Sequence, residues 1–102
     1  MSFVHHVFFY LKNPNDAADQ AKFMEGIEKL KQIKSIKLLN VGVPADTDRP
    51  VIVRDYTYSL LTIFETASDE QAYQVDPLHD DFRDNYAHLW SKVVIYDSIE
   101  VK

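Results

Sequence analysis

The sequence predicts an α+β fold: a ferredoxin-like βαββαβ plait in which an antiparallel four-stranded sheet carries its helices on one face. Three observations predict it. Segments with a period of two alternate with segments of helical period in the order strand, helix, strand, strand, helix pair, strand, which fits a split βαβ unit. The strands are apolar on both faces, while the helices suffice to cover only one. The 102 residues, 46% apolar and 26% charged, fit one globular domain spanning 1–102. An apolar sheet face left without helices demands burial. A second copy in a two-fold, sheet-to-sheet homodimer satisfies it most simply.

Ser2 to Lys12 reads as the first strand, rich in aromatic and β-branched residues. Phe3, His5, Val7, Phe9 and Leu11 share one face; Val4, His6, Phe8 and Tyr10 share the other. A strand apolar on both sides belongs in the middle of a sheet. Asn13-Pro14-Asn15-Asp16 stops it and opens a helix to about Lys34, with Ala17, Ala21, Met24, Ile27 and Leu30 as the core stripe and Phe23 widening it. Ile36 to Val43 is a second strand, closed by Gly42 and Pro44. The connection from Pro44 to Arg54 is long for a hairpin, and its Val51-Ile52-Val53 run either extends the next strand or meets a partner.

Asp55 to Glu65 is the third strand, with Tyr56, Tyr58, Leu60, Thr62 and Phe64 on one face. Ser68-Asp69-Glu70-Gln71 fits a capping box and starts a short helix bearing Tyr73. Asp76-Pro77 then opens another helix to Leu89, an acceptor at the N-cap followed by a ring without an N–H. Trp90 to Val101 closes the sheet, with Val93, Ile95 and Asp97 facing one way.

Composition narrows the function classes. Eleven Lys and Arg against 16 Asp and Glu leave no basic stripe for nucleic acid. Lysines 29, 31, 34 and 37 lie where a helix ends, an ordinary place for cations. With no cysteine there are no disulfides, thiolate nucleophiles or thiolate metal sites, which fits a reducing compartment. The apolar start from Phe3 to Leu11 is too short for a signal peptide or a membrane span, so a cytoplasmic protein is expected.

The chemistry concentrates in Tyr73 to Phe82. His79 falls in the first turn of a helix, where the partial positive charge disfavours imidazolium and favours the neutral form a base must have. Tyr73 lies six residues upstream, and the break at Asp76-Pro77 can fold it back towards the imidazole. Plainer readings stand beside these. His79 fits a helix-start histidine bonded to Asp76 or backbone, Tyr73 a half-buried packing residue, and His5 and His6 structural strand histidines. Asp69, Glu70, Asp76, Asp80, Asp81 and Asp84 lack calcium-loop spacing and read as a solvated face, and His88 has no metal spacing with His79.

Several stretches together, in order and spacing, carry a family resemblance. They are Val4-His5-His6-Val7-Phe8-Phe9 with Leu11-Lys12, Gly42, Tyr56 to Phe64-Glu65, Ala72-Tyr73, Pro77-Leu78-His79 with Phe82, and Trp90 to Asp97. The chain resembles the stress-responsive dimeric α/β-barrel (Dabb) family essentially end to end. The resemblance implies the plait described above, with two sheets closing into a barrel across a homodimer. A plant member, olivetolic acid cyclase, looks similar over most of the chain and closes a linear polyketide by intramolecular aldol condensation without metal or cofactor. That likeness places a catalytic histidine on His79, a catalytic tyrosine on Tyr73 and a pocket histidine on His5. It places an apolar, substrate-binding lining on Phe23, Met24, Ile27, Leu60, Phe82, Trp90, Val93 and Ile95. Tyr58 stands where the cyclase has a pocket histidine, and Asp76 where a histidine usually precedes the Pro-x-His element. The expectation is a cofactor-free cyclase- or isomerase-like enzyme acting on a hydrophobic small molecule. A non-catalytic stress-related or ligand-binding barrel is the alternative, and sibling barrels with haem or quinone monooxygenase chemistry a third.

Overall fold

The computed structural model describes residues 2–102. Four strands, β1 (Phe3–Leu11), β2 (Leu38–Gly42), β3 (Tyr58–Phe64) and β4 (Trp90–Ile99), form one antiparallel sheet in the order β2-β3-β1-β4. Helices α1 (Ala17–Leu30), α2 (Ala67–Gln74) and α3 (Pro77–Tyr86) lie on one face. The slab is only 17 Å thick, room for one helical layer on one sheet. β1 is central, paired with β3 through His5↔Thr62 and with β4 through His5↔Asp97. Its alternation does what a period of two requires: His5, Val7, Phe9 and Leu11 are buried under the helices, and the residues between them are half-buried on the open face.

Asp16 caps α1 by accepting the Asp19 N–H at 3.0 Å. The core stripe is Phe23, Gly26, Ile27 and Leu30, rotated from the expected one, since Ala17 and Ala21 are exposed. The α-helix stops at Leu30 rather than Lys34. Gln32 and Ile33 donate to carbonyls three residues back, and the tighter turn swings Ile33 into the core. β2 and β3 are shorter than their patterns suggest. Asp55 and Thr57 meet β1 through single bonds instead of a ladder: Tyr10 Oη donates to Asp55 Oδ1, Leu11 N to Thr57 Oγ1, and Thr57 N to the Phe9 carbonyl.

Thr66, not Ser68, caps α2, because the chain is still extended at residue 66 and its hydroxyl already reaches the Asp69 N–H. Asp76 caps α3 as its sequence predicts, accepting from Leu78 N at 2.8 Å with Pro77 next. α3 ends at Tyr86, and a 3₁₀ turn, Ala87–Leu89, carries the chain into β4. β4 itself stops at Ile99. Loop 44–54 does not extend β3; Arg54 ties back to the Ala45 carbonyl, and Val51 and Val53 are exposed.

The core is dense in rings, with Phe9, Phe23, Phe82 and Trp90 in mutual edge or stacked contact. No helix of the described residues lies on the opposite sheet face. There Phe8 meets Tyr56 and Tyr96, and with Val51 and Val53 they border a hollow of about 330 Å³. No helix among the described residues is long and apolar enough to cross a membrane.

Candidate functional site

A cavity of about 440 Å³ opens between the sheet and the α2–α3 corner. Its walls are largely apolar, from Val7, Phe9, Leu60, Phe82, Trp90, Val93 and Ile95, and its polar groups are few: His5, Tyr73, Gln74, His79 and Arg83. The break at Asp76-Pro77 brings two of these together. α2 ends at Gln74, α3 restarts at Pro77, and the chain reversal sets the Tyr73 ring edge-on to the His79 ring, centroids 4.8 Å apart. On its other side Tyr73 meets His5 at 6.0 Å, giving a row His5, Tyr73, His79 across the polar end.

His79 is the third residue of α3. Its Nδ1 is buried and has no hydrogen-bond partner, while Asp76 Oδ1 accepts from the Leu78 N–H. A buried ring nitrogen without a partner is unusual enough to require an explanation. Burial, reinforced by the nearby Arg83 guanidinium, lowers the His79 pKa below its ordinary 6.5, and Asp80 only partly opposes this. At neutral pH the imidazole is therefore uncharged and one nitrogen carries a lone pair. Tyr73 is almost wholly buried, and burial followed by the Glu70 carboxylate pushes its hydroxyl well above the ordinary phenol range. It stays protonated, a donor and not an anion.

His5 is held differently. Its Nδ1 lies 2.6 Å from Asp97 Oδ1 and 4.0 Å from Glu70 Oε2, and Glu70 also accepts from Gln74 Nε2 at 2.7 Å. An acceptor at Nδ1 fixes the proton there, which makes Nε2 the basic nitrogen of the neutral ring. The Asp97 carboxylate is half-exposed, so the pair sits at the cavity margin.

Of the residues picked out in the sequence, His5, Leu60, Tyr73, His79, Phe82, Trp90, Val93 and Ile95 converge on this cavity. Phe23 and Ile27 do not line it: both are fully buried in the packing behind. Met24 and Tyr58 border a separate hollow of about 260 Å³ against Val41, Gly42 and Val43. Sequence reasoning missed the partnership of Asp97 with His5, although alternation had already put Asp97 on the face of Val93 and Ile95. The strand register that pairs it with His5 was the missing signal. Arg83 was also missed; it follows His79 by one helical turn and reads as an ordinary surface charge. Among the described residues, no group of three or more His, Cys, Asp or Glu is arranged to hold a metal ion.

The sequence profile of the stress responsive A/B barrel domain (Dabb) matches residues 3–100. The chain belongs to the Dabb family. Among curated proteins none matched this Dabb chain. Among the solved structures that share its fold are three at low identity. A Dabb family protein of Mesorhizobium loti with a ferredoxin-like fold is 20% identical, with TM-score 0.82 over 99% of this chain and 98% of that one. Hydroxynitrile lyase from Passiflora edulis is 18% identical, with TM-score 0.78 over 99% and 94%. A dimeric ferredoxin-like protein of unknown function from Thermobifida fusca is 17% identical, with TM-score 0.76 over 96% and 90%. At such identities the likeness establishes a common fold for this Dabb chain.

Proposed function

We propose that this Dabb chain is a cofactor-free acid–base catalyst that takes a hydrophobic carbonyl compound into its cavity and moves a proton on the carbon next to the carbonyl. The observation that carries this reading is His79 in the cavity wall, its Nδ1 unpartnered and its ring edge-on to the buried Tyr73, at the polar end of an otherwise apolar chamber. Neutral His79 removes the α-proton as the C–H bond breaks, and the electron pair moves onto the carbonyl oxygen. Tyr73, a phenol rather than a phenolate, donates to the enolate oxygen that forms. The apolar walls keep water from competing for that donor. Burial, and then Arg83, disfavour the imidazolium, so the proton returns readily. In a β,γ-unsaturated carbonyl compound the enolate extends to the γ-carbon, and return of the proton there makes an isomerisation. Attack of the enolate on a second carbonyl of the same molecule, with the proton delivered to the new alkoxide, makes an aldol cyclisation like that of olivetolic acid cyclase. The Passiflora neighbour, named a hydroxynitrile lyase, supports a catalytic use of this frame.

A homodimer through the open sheet faces belongs to the same proposal. The dimeric description of the Thermobifida neighbour supports it, as do Val4, Phe8 and Tyr10 on a face with no helix.

Exchange of the α-hydrogens of hydrophobic methyl ketones for deuterium in D₂O, followed by NMR, isolates the first step. The wild-type chain is expected to accelerate exchange over buffer, His79→Ala to abolish the acceleration, and Tyr73→Phe to reduce it by about 10²–10³. Undiminished exchange in both folded variants would end the mechanism. Binding of the ketones without exchange assigns instead the non-catalytic, ligand-binding barrel.

A further inference from the structure

Among the residues that line the cavity, Arg83 is the only Arg, Lys, Asp or Glu, and its charge is fixed at any working pH. It comes there because α3 and its C-cap turn one stripe to the cavity, His79, Phe82, Arg83 and Ala87, at steps of three and four residues. Its side chain is 60% exposed, which places the guanidinium at the rim, whereas Phe9, Leu60 and Phe82 in the same wall are buried. Among the described residues its ion pair is with Asp80, a single contact of 3.1 Å from Nη2 to Oδ1 between two exposed side chains. Such a pair is weak in water, and it leaves Nη1 and Nε of the planar fork unspent. An apolar chamber with one cation at its mouth matches a molecule that is greasy over most of its length and anionic at one end.

We propose that Arg83 is a carboxylate anchor at the cavity rim, and that the compounds taken in are hydrophobic oxo acids. The carboxylate rests on the guanidinium, the carbonyl beside Tyr73 and His79, and the apolar end against Phe9, Leu60 and Trp90. Spacing narrows the class further. Arg83 follows His79 by four residues, about 6 Å along the helix axis. A γ-oxo acid, with two methylenes between its carbonyl and carboxyl groups, spans that step; in an α-oxo acid the two groups adjoin and cannot reach both residues. With Asp80 already beside the guanidinium, a singly charged carboxylate suits the remaining donors better than a doubly charged phosphate. This rests on the reading of the cavity as a site for hydrophobic carbonyl compounds, and adds to it the class of substrate and the residue that selects it.

Trp90 is the single tryptophan and lines the cavity, so its fluorescence reports occupancy. The probes are γ-oxodecanoate and its methyl ester, which share the ketone and the apolar chain and differ in charge at the carboxyl end. The wild-type chain is expected to bind the acid about tenfold more tightly than the ester, by a ratio that shrinks as salt is added. Arg83→Gln should bring the ratio to about one or below, since the net charge of -5 then works against the acid. Asp80→Asn removes the competing carboxylate and should raise the ratio severalfold, a gain that a damaged fold would not produce. Made on top of Arg83→Gln, the same change should raise it far less. A ratio of one or less in the wild-type chain, or one that survives in Arg83→Gln, overturns the anchor while leaving the ligand site standing. So does an equal gain from Asp80→Asn with and without Arg83, since net charge would then be selecting the acid. A fluorescence response to neither probe, in any chain, overturns both the anchor and the ligand site.

Discussion

His79 shows how little is needed to change what a histidine can do. Its neighbours in sequence, Asp76, Asp80 and Asp81, would favour the imidazolium in water, yet the folded chain spends Asp76 on the helix cap and leaves the ring nitrogen buried near Arg83. The pH dependence follows from the lowered pKa. Between that value and 6.5 the folded chain binds fewer protons than the unfolded one, so this group's contribution is intact above about pH 6.5 and lost as the pH falls below it. The exchange rate should rise with pH through a midpoint below 6.5 and then level off. Because Tyr73 remains protonated past the ordinary phenol range, that plateau should hold through about pH 10. A rise centred above 6.5 would show that another group is the base. Asp97→Asn tests the cavity margin: it keeps the shape but no longer fixes the Nδ1 proton of His5 as a carboxylate does. If His5 serves only in packing, ketone affinity and exchange should be unchanged; if its basic Nε2 meets the ligand, affinity should fall about tenfold with melting temperature held.

At the scale of elements, the α1–α3 contact governs the cavity roof. A Cβ at Gly26 would come within 3.0 Å of Phe82 Cδ1 and Cε1 and of Tyr86 Cδ2. Tyr86 is further fixed by a 2.6 Å bond from its hydroxyl to Glu25, and Phe82 is both cavity wall and core. Gly26→Ala should gain about 1 kcal/mol of helix propensity and lose about 1–3 kcal/mol to overpacking. A net loss is expected, read as a melting temperature several degrees lower, together with altered ketone affinity as Phe82 shifts. An unchanged or higher melting point would mean that the two rings move aside freely. The caps tell a related story. Asp16 and Asp76 are legible because a side-chain acceptor precedes a clear helical stretch, with a proline marking the second. Thr66 is not, since Ser68 two residues on offers the same chemistry, and only the end of β3 decides which hydroxyl meets a free N–H.

For the molecule as a whole, the open sheet face sets the expectation. Phe8, Tyr56 and Tyr96 lie in ring contact on it, and no helix covers them. The wild-type chain is expected to sediment as a dimer, with a melting temperature that rises with protein concentration. Phe8→Asp should shift it to a monomer of lower stability, because a carboxylate would be buried without a partner. A monomeric wild-type chain, with melting independent of concentration, would remove the sheet-to-sheet pairing.

By itself the sequence determined the element order, the central place of β1 and the two-sided apolar sheet, because periods of two and of 3.6 and a proline-marked cap are local properties of the chain. It also drew Tyr73 and His79 towards each other, through a break only two residues long. Tertiary structure alone decided three things. It turned α1 so that Phe23 and Ile27 face the core instead of the cavity, paired His5 with Asp97 through strand register, and left the Nδ1 of His79 buried without a partner. Each depends on which surfaces meet across long separations in the chain, and neither periodicity nor spacing carries that information.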